Sequence, residues 1–382
     1  MVSNIKDIGI LTMHRVLNYG SVLQAYATQC VVEELGYSCE IIDYVYPNKF
    51  QFDRGIPFTT FSIKSRISRF LGLKSYWRKS NKFNSFYKRY LNLSQRYDSP
   101  SEIFKNPPIY KCYITGSDQV WNPKFTKGDL TFLLNFAVNE PKISYASSFA
   151  CDSLPLDLND DFAKLLNCYS AISVRESNGA KLIQELINRN VPIVLDPTLL
   201  LPSREWIDKM NINLRENNKG YILVYILKYA TNPSSIIYDV IDKLQDATKL
   251  DVIFIGEEGF VANKNKKWKC LKAPNPKQFV QLFAESTYVV TSSFHGTAFG
   301  LNFGKPIFSV VDSKSNDDRI STLLKEVGLE SSILTINNPL EKLCLDQDIE
   351  SSQKELNSLR DMSLAFLKQS IFDALNDKNR II

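Results

Sequence analysis

Short continuous apolar runs alternate along this chain with longer stretches whose apolar residues recur at helical spacing. "DIGILTM" (7–13) reads as a buried strand, and "NYGSVLQAYATQCVVEELGY" (18–37) reads as a helix with apolar positions at Val22, Ala25, Tyr26, Val32 and Leu35. "CEIIDY" (39–44) is a strand again, so the chain opens with a β-α-β unit whose first strand ends in a short loop. Further strands are expected at "YKCYIT" (110–115), "KISYAS" (142–147), "AISVRE" (171–176) and "VPIVLDP" (191–197), with amphipathic helices between the last three. This alternation predicts a parallel sheet covered on both faces. "TLLLPSREW" (198–206) marks a crossing, because the pattern restarts at "GYILVYIL" (220–227) and continues through "DVIFIG" (251–256), "TYVVTS" (287–292) and "PIFSV" (306–310). Helices are expected at 233–247, at 276–285 and from about 295. The expected domains are therefore 1–202, interrupted by a helical insert at about 56–92, and 203–345, with a C-terminal helix over 346–382 able to pack back on the first. Two α/β domains face each other across a cleft formed by the carboxyl ends of their strands, which makes the loops that follow strands the ones to read for chemistry.

Composition changes this picture little. With 382 residues, 44% hydrophobic and 23% charged, the chain has no disordered or fibrous bias. No window reaches the apolar length of a membrane span and no leader pattern is visible, so a soluble, cytoplasmic protein is expected. The seven cysteines are scattered without metal-ligand spacing, and no metal site is expected. Charge is more telling: residues 61–90 carry nine Lys or Arg and no acid, which leaves the rest of a chain of net charge +5 slightly acidic. These cations are interleaved with Phe61, Phe70, Tyr76, Trp77, Phe83, Phe86, Tyr87 and Tyr90. A solvated helix pair, a nucleic-acid face and an interfacial helix all fit; the density of rings favours an anionic membrane surface over nucleic acid.

Three loops carry candidate chemistry. In "VVTSSFHGTAFG" (289–300), a strand runs into a helix that begins near His295, one of only two histidines in the chain. Ser292 and Ser293 fall at its N-cap, Thr297 adds a hydroxyl, and Gly296 permits close approach to the backbone, which together suit a phosphate or carboxylate. His295 beside such an anion could hold it or deliver a proton, although a plain cap with a packed histidine fits equally well. "TGSDQVWNP" (115–123) offers Asp118, Gln119, Trp121 and Asn122, a set able to grip a sugar, while Asp118 as a cap and Trp121 as core is the plainer alternative. "SVRESNG" (173–179) places Arg175 just past a strand, facing an anion or simply paired with Glu176. More weakly, Asn18, Tyr19 and Gln24 at the first strand's end could contact an acceptor, and Arg319 in "SNDDRI" could add charge.

In this order the stretches "NYGSVLQAYA", "GSDQVWNP", "KISYASSFA", "SVRESNG", "VLDPTLLL", "TSSFHGTAFGLNFGKPIFS" and "DDRISTLL" resemble the polysaccharide pyruvyl transferase family, in a Ser-Phe-His-Gly-Thr branch. The resemblance implies two Rossmann-like domains arranged as in GT-B glycosyltransferases. It also implies transfer of the pyruvyl group of phosphoenolpyruvate onto two hydroxyls of a sugar as a cyclic ketal, with release of phosphate. Phosphoenolpyruvate is then a co-substrate and no cofactor is implied; the acceptor is a glycan intermediate, often linked to a polyprenyl diphosphate. His295 would protonate the methylene, Arg175 would bind the donor and Asp118 would take a proton from the acceptor hydroxyl. The family usually has Arg where this chain has Ser293, so Arg175 with Arg319, or Lys228, must supply that charge. A membrane-linked acceptor also suits peripheral attachment, through residues 61–90, to the inner face of the cell membrane. The rival readings are a nucleotide-sugar glycosyltransferase of the same architecture and a non-catalytic glycan-binding protein; no oligomeric state is implied.

Overall fold

A computed structural model describes residues 5–45, 63–216, 219–227, 235–256, 268–312, 317–335 and 343–376, with only the backbone described for 63–76 and for residue 235. Among the described residues, twelve strands form two six-stranded sheets. The first holds β1 (Ile8–Leu11), β2 (Cys39–Tyr44), β3 (Leu93–Tyr97), β4 (Cys112–Thr115), β5 (Lys142–Ser147) and β6 (Ala171–Val174) in the order β3-β2-β1-β4-β5-β6. The second holds β7 (Ile222–Tyr225), β8 (Val252–Ile255), β9 (Lys269–Leu271), β10 (Tyr288–Thr291), β11 (Ile307–Val310) and β12 (Ile333–Leu334) in the order β12-β11-β10-β7-β8-β9. Every pairing is parallel. Counted from its own first strand, each sheet has the same doubly wound Rossmann order, with helices on both faces.

The central strands are those expected, because burial on both faces demands unbroken apolar sequence: "IGIL", "CYIT", "ILVY", "VIFI" and "IFSV" are buried throughout. The strands not expected, β3, β9 and β12, all lie at sheet edges, where one side lacks a neighbour and polar residues are tolerated. "VPIVLDP" departs from expectation. It makes a single bridge, Ile193 to Val174, and then turns into the short helix Pro197–Leu200, because Pro192 and Pro197 cannot donate to a ladder.

The domains share one continuous apolar core. Helix Tyr19–Glu34 is buried on every side from Tyr19 to Val32, since it lies between the sheets rather than on a surface. Tyr19 stacks on Phe279 of the second domain (centroids 4.4 Å apart, planes at 11°), and Trp206 bridges Tyr26 and Phe299. Helix Ile349–Asn376 spans both domains: Gln353 donates to the Leu301 carbonyl at 2.7 Å, Arg360 donates to the Leu199 carbonyl at 2.7 Å, and Ser363 accepts from the Leu195 N–H at 3.0 Å.

The basic insert forms helix Ile63–Tyr90. Phe83, Phe86 and Tyr87 are buried in the shared core, and Tyr90 stacks on Phe86. Those rings therefore have an interior role and lend no weight to a membrane surface, while Trp77 is exposed (61%). Phe61 and the side chains of Phe70 and Tyr76 lie outside what the structure describes. Among the described residues no helix is long and apolar enough to cross a membrane.

Candidate active site

Strand order reverses between β1 and β4 in the first sheet and between β7 and β10 in the second, the positions at whose carboxyl ends open α/β sheets bind ligands. The first domain contributes Asp118 after β4, Arg175 after β6, and Asp196. The second contributes His295, on helix Phe294–Asn302 directly after β10, and Arg319, at the start of helix Arg319–Glu326.

Arg175 and His295 converge on Asp196, whose side chain is wholly buried. One carboxylate oxygen accepts from Arg175 Nη1 at 2.6 Å and from Ser117 Oγ at 2.8 Å; the other accepts from the Thr198 N–H at 2.9 Å and its hydroxyl at 2.7 Å. His295 Nε2 reaches from the opposite domain to 3.6 Å from the same carboxylate. Burial alone would raise the Asp196 pKa, but His295, Arg175 and the Thr198 donors outweigh it and hold the carboxyl well below the usual range. His295 Nε2 and the Nε and Nη2 atoms of Arg175 are buried without a hydrogen-bond partner. Unpaired buried donors are costly, and their convergence in a crevice marks a place where a ligand would complete them. Both guanidiniums lie against the Phe294 ring, Arg175 at 4.3 Å and Arg319 at 5.8 Å, so two cations from different domains flank the residue beside His295.

Asp118 has φ 78°, a left-handed conformation that is strained for a residue with a side chain. It accepts from Ser21 Oγ at 2.5 Å and from the Gln119 N–H at 2.9 Å, with Arg175 Nη2 at 4.0 Å. Gly20, next to Ser21, lies against the imidazole: a methyl group there would overlap the His295 ring. The close approach that this glycine permits is thus that of the histidine across the domain boundary. Glu176 does not pair with Arg175; it is fully buried and accepts from the N–H groups of Phe149 (2.9 Å) and Ala150 (3.2 Å). Burial raises its pKa, and the opposing fields of Arg175 and Arg319 do not cancel the effect. Asp318 of the second domain accepts from the Asn178 N–H at 2.9 Å, capping helix Ser177–Ile187 of the first.

The remaining expected residues divide. Ser293 caps its helix by accepting from the Gly296 N–H at 3.3 Å, Ser292 accepts from the Leu227 N–H at 3.0 Å, and Thr297 is fully buried with its hydroxyl 2.8 Å from Ser309 Oγ. A side chain at Gly296 would collide with Thr291, so that glycine serves packing on β10. Trp121 is not a sugar platform. It is fully buried against Phe149 and donates to the Phe132 carbonyl at 3.3 Å. Tyr19 is likewise interior, its hydroxyl donating to the Pro274 carbonyl at 2.8 Å across the domain boundary. Gln24 is fully buried and donates to Thr12 Oγ1 and the Ser21 carbonyl. Asn18 and Asn122 cap helices, and Gln119, half-buried, accepts from Asn122. Lys228 lies outside the described residues. Asp196, Ser117 and Asp317, which binds Arg319 through both carboxylate oxygens, were not singled out in the sequence. The signal for Asp196 was an acid ending the apolar run "VPIVLDP", read there as strand.

Fold and site together define a two-domain α/β protein in which an imidazole and two guanidiniums from both domains lie around the Phe294 ring and Asp196. The polysaccharide pyruvyl transferase family model matches residues 18–314, and the chain belongs to that family. The match includes Asp118, Arg175, Asp196 and His295; Arg319 lies beyond its end. No curated protein matches the chain in sequence. Among solved structures, S. aureus MnaA with UDP is similar at 13% identity and TM-score 0.50 over 99% of this chain and 98% of that one. Anabaena Alr3699/HepE in complex with UDP and glucose is similar at 9% identity and TM-score 0.50 over 97% and 100%. At these identities the likeness shows the fold alone, two Rossmann-like domains arranged as in GT-B glycosyltransferases.

Proposed function

We propose that this chain moves the pyruvyl group of phosphoenolpyruvate onto two hydroxyls of a sugar in a surface-polysaccharide intermediate, forming a cyclic ketal and releasing phosphate. The observation that carries this reading is the meeting of His295 and Arg175, from opposite domains, on buried Asp196 with unpaired polar atoms left over. Arg175 and Arg319 would hold the phosphate and carboxylate of the donor, Arg319 supplying the charge lost at Ser293. His295 would protonate the methylene, making the phosphate-bearing carbon electrophilic. The first sugar hydroxyl then adds to that carbon as Asp118 takes its proton; phosphate departs with its electron pair, and the second hydroxyl closes the ring as its proton is lost. Asp196 touches no substrate in this scheme and positions Arg175 and His295. Peripheral attachment to an anionic bilayer, proposed from the cations of the insert helix, would be read as salt-sensitive binding to anionic liposomes; protein that ignores them at low salt removes that part.

The test is incubation with phosphoenolpyruvate and candidate glycans, lipid-linked ones included, reading phosphate release and a product heavier by pyruvic acid less one water. Phosphoenolpyruvate should also raise the melting temperature by mass action. Transfer of a sugar from a nucleotide sugar, with no phosphate released from phosphoenolpyruvate, would favour a nucleotide-sugar transferase instead.

A further inference from the structure

A second concavity, of about 490 Å³, lies between the insert helix and the second domain. Arg78 and Lys82 of helix Ile63–Tyr90 face it from one side, and Arg215, Lys269 and Lys272 of the second domain from the other. Among the described residues the wall holds one carboxylate, Glu285, already bound by Arg215 through its backbone N–H (3.1 Å) and guanidinium Nε (2.8 Å) and by Gln281 at 2.9 Å. Ile253, Leu271 and Leu282 give the groove an aliphatic floor, and among the described residues no aromatic ring lines it. None of Asp118, Arg175, Asp196, His295 and Arg319 belongs to its wall, yet the two sites adjoin. Pro274 in the wall accepts from Tyr19, the neighbour of the Gly20 on which the His295 ring rests.

Among the described residues this wall is net positive, five cations against one carboxylate that Arg215 already binds, so it attracts anions. The cations come from the insert helix and the second domain, on opposite sides of the groove, an arrangement that linked phosphates can meet from both sides. An aliphatic floor without rings offers no base-stacking platform of the kind single-stranded nucleic acid uses. We infer that this groove binds the diphosphate group of a ligand, the insert-helix and β9 cations holding its phosphates and the aliphatic floor receiving the adjoining uncharged body. A soluble nucleotide and a prenyl lipid both carry that chemistry.

Calorimetric titration of the full chain tests it directly and independently of any turnover of phosphoenolpyruvate. Inorganic pyrophosphate should bind saturably at low salt, and Arg78→Glu with Lys269→Glu should weaken it by about tenfold or more. Lys105→Glu with Lys164→Glu, exposed residues outside the groove with the same change in net charge, should leave it intact. Absence of saturable binding, or equal loss in the two double variants, overturns the site. UDP and farnesyl diphosphate separate the sources: tighter binding than pyrophosphate by either supports the inference and names the body, and a gain by neither overturns the role given to the floor.

Discussion

His295 of the second domain stands 3.6 Å from Asp196 of the first, so the candidate acid meets its buried carboxylate only across the domain boundary. That same carboxylate binds Arg175, so one residue orients both groups proposed to act on the donor. Replacing His295 with Gln should lower turnover by about a hundred- to ten-thousand-fold, the range for loss of a general acid, with the fold retained. Phosphate release alongside circular dichroism checks this; full activity in the variant would remove His295 from the mechanism.

Asp196→Asn should cost about 3–5 kcal/mol of stability by removing the close counter-charge of buried Arg175 and leaving it only Asp118, 4.0 Å away. Because the folded protein holds this carboxyl below its ordinary range, its contribution is present above the unfolded value, near 4, and is lost as pH falls through the folded value. The stability gap between the parent and Asp196→Asn, followed by denaturant titration, should therefore narrow as the pH drops below about 4.

Glu176 behaves in the opposite sense. Its folded pKa is raised, so the folded chain keeps this proton to higher pH than the unfolded chain does, and stability declines as pH climbs from about 4.3 through the folded value. Glu176→Gln retains an acceptor for the Phe149 and Ala150 N–H groups and should abolish that decline. The variant should match the parent in acid and gain on it towards neutrality.

Gly20→Ala places a methyl where the His295 ring lies. The variant should lose about 1–3 kcal/mol as the site is overpacked, and should lose activity in excess of that by displacing the imidazole. A variant with unchanged turnover would show that the ring's position is not critical.

Trp121→Phe distinguishes a core ring from a sugar platform. It should destabilise by about 1–3 kcal/mol while leaving KM for the glycan acceptor unchanged, since the indole is sealed against Phe149 and Phe132. A raised KM without loss of stability would return Trp121 to the binding surface.

Local sequence determined the central strands, because a strand buried on both faces must be an unbroken apolar run, and it determined that His295, Arg175 and Asp118 sit just past such strands. Edge strands β3, β9 and β12 left no such run, being paired on one side only. Which way a loop residue faces was decided by tertiary structure: "TGSDQVWNP" reads the same whether Trp121 lines the crevice or, as it does, fills the core. Tyr19 and, in the insert helix, Phe83, Phe86 and Tyr87 were likewise drawn inward, since the two domains share one apolar core that neither sequence pattern contains alone. Asp196 became visible only in three dimensions. Its partners Arg175 and His295 lie on different domains, and the free energy that assembles them comes from burial between those domains, which no local spacing records.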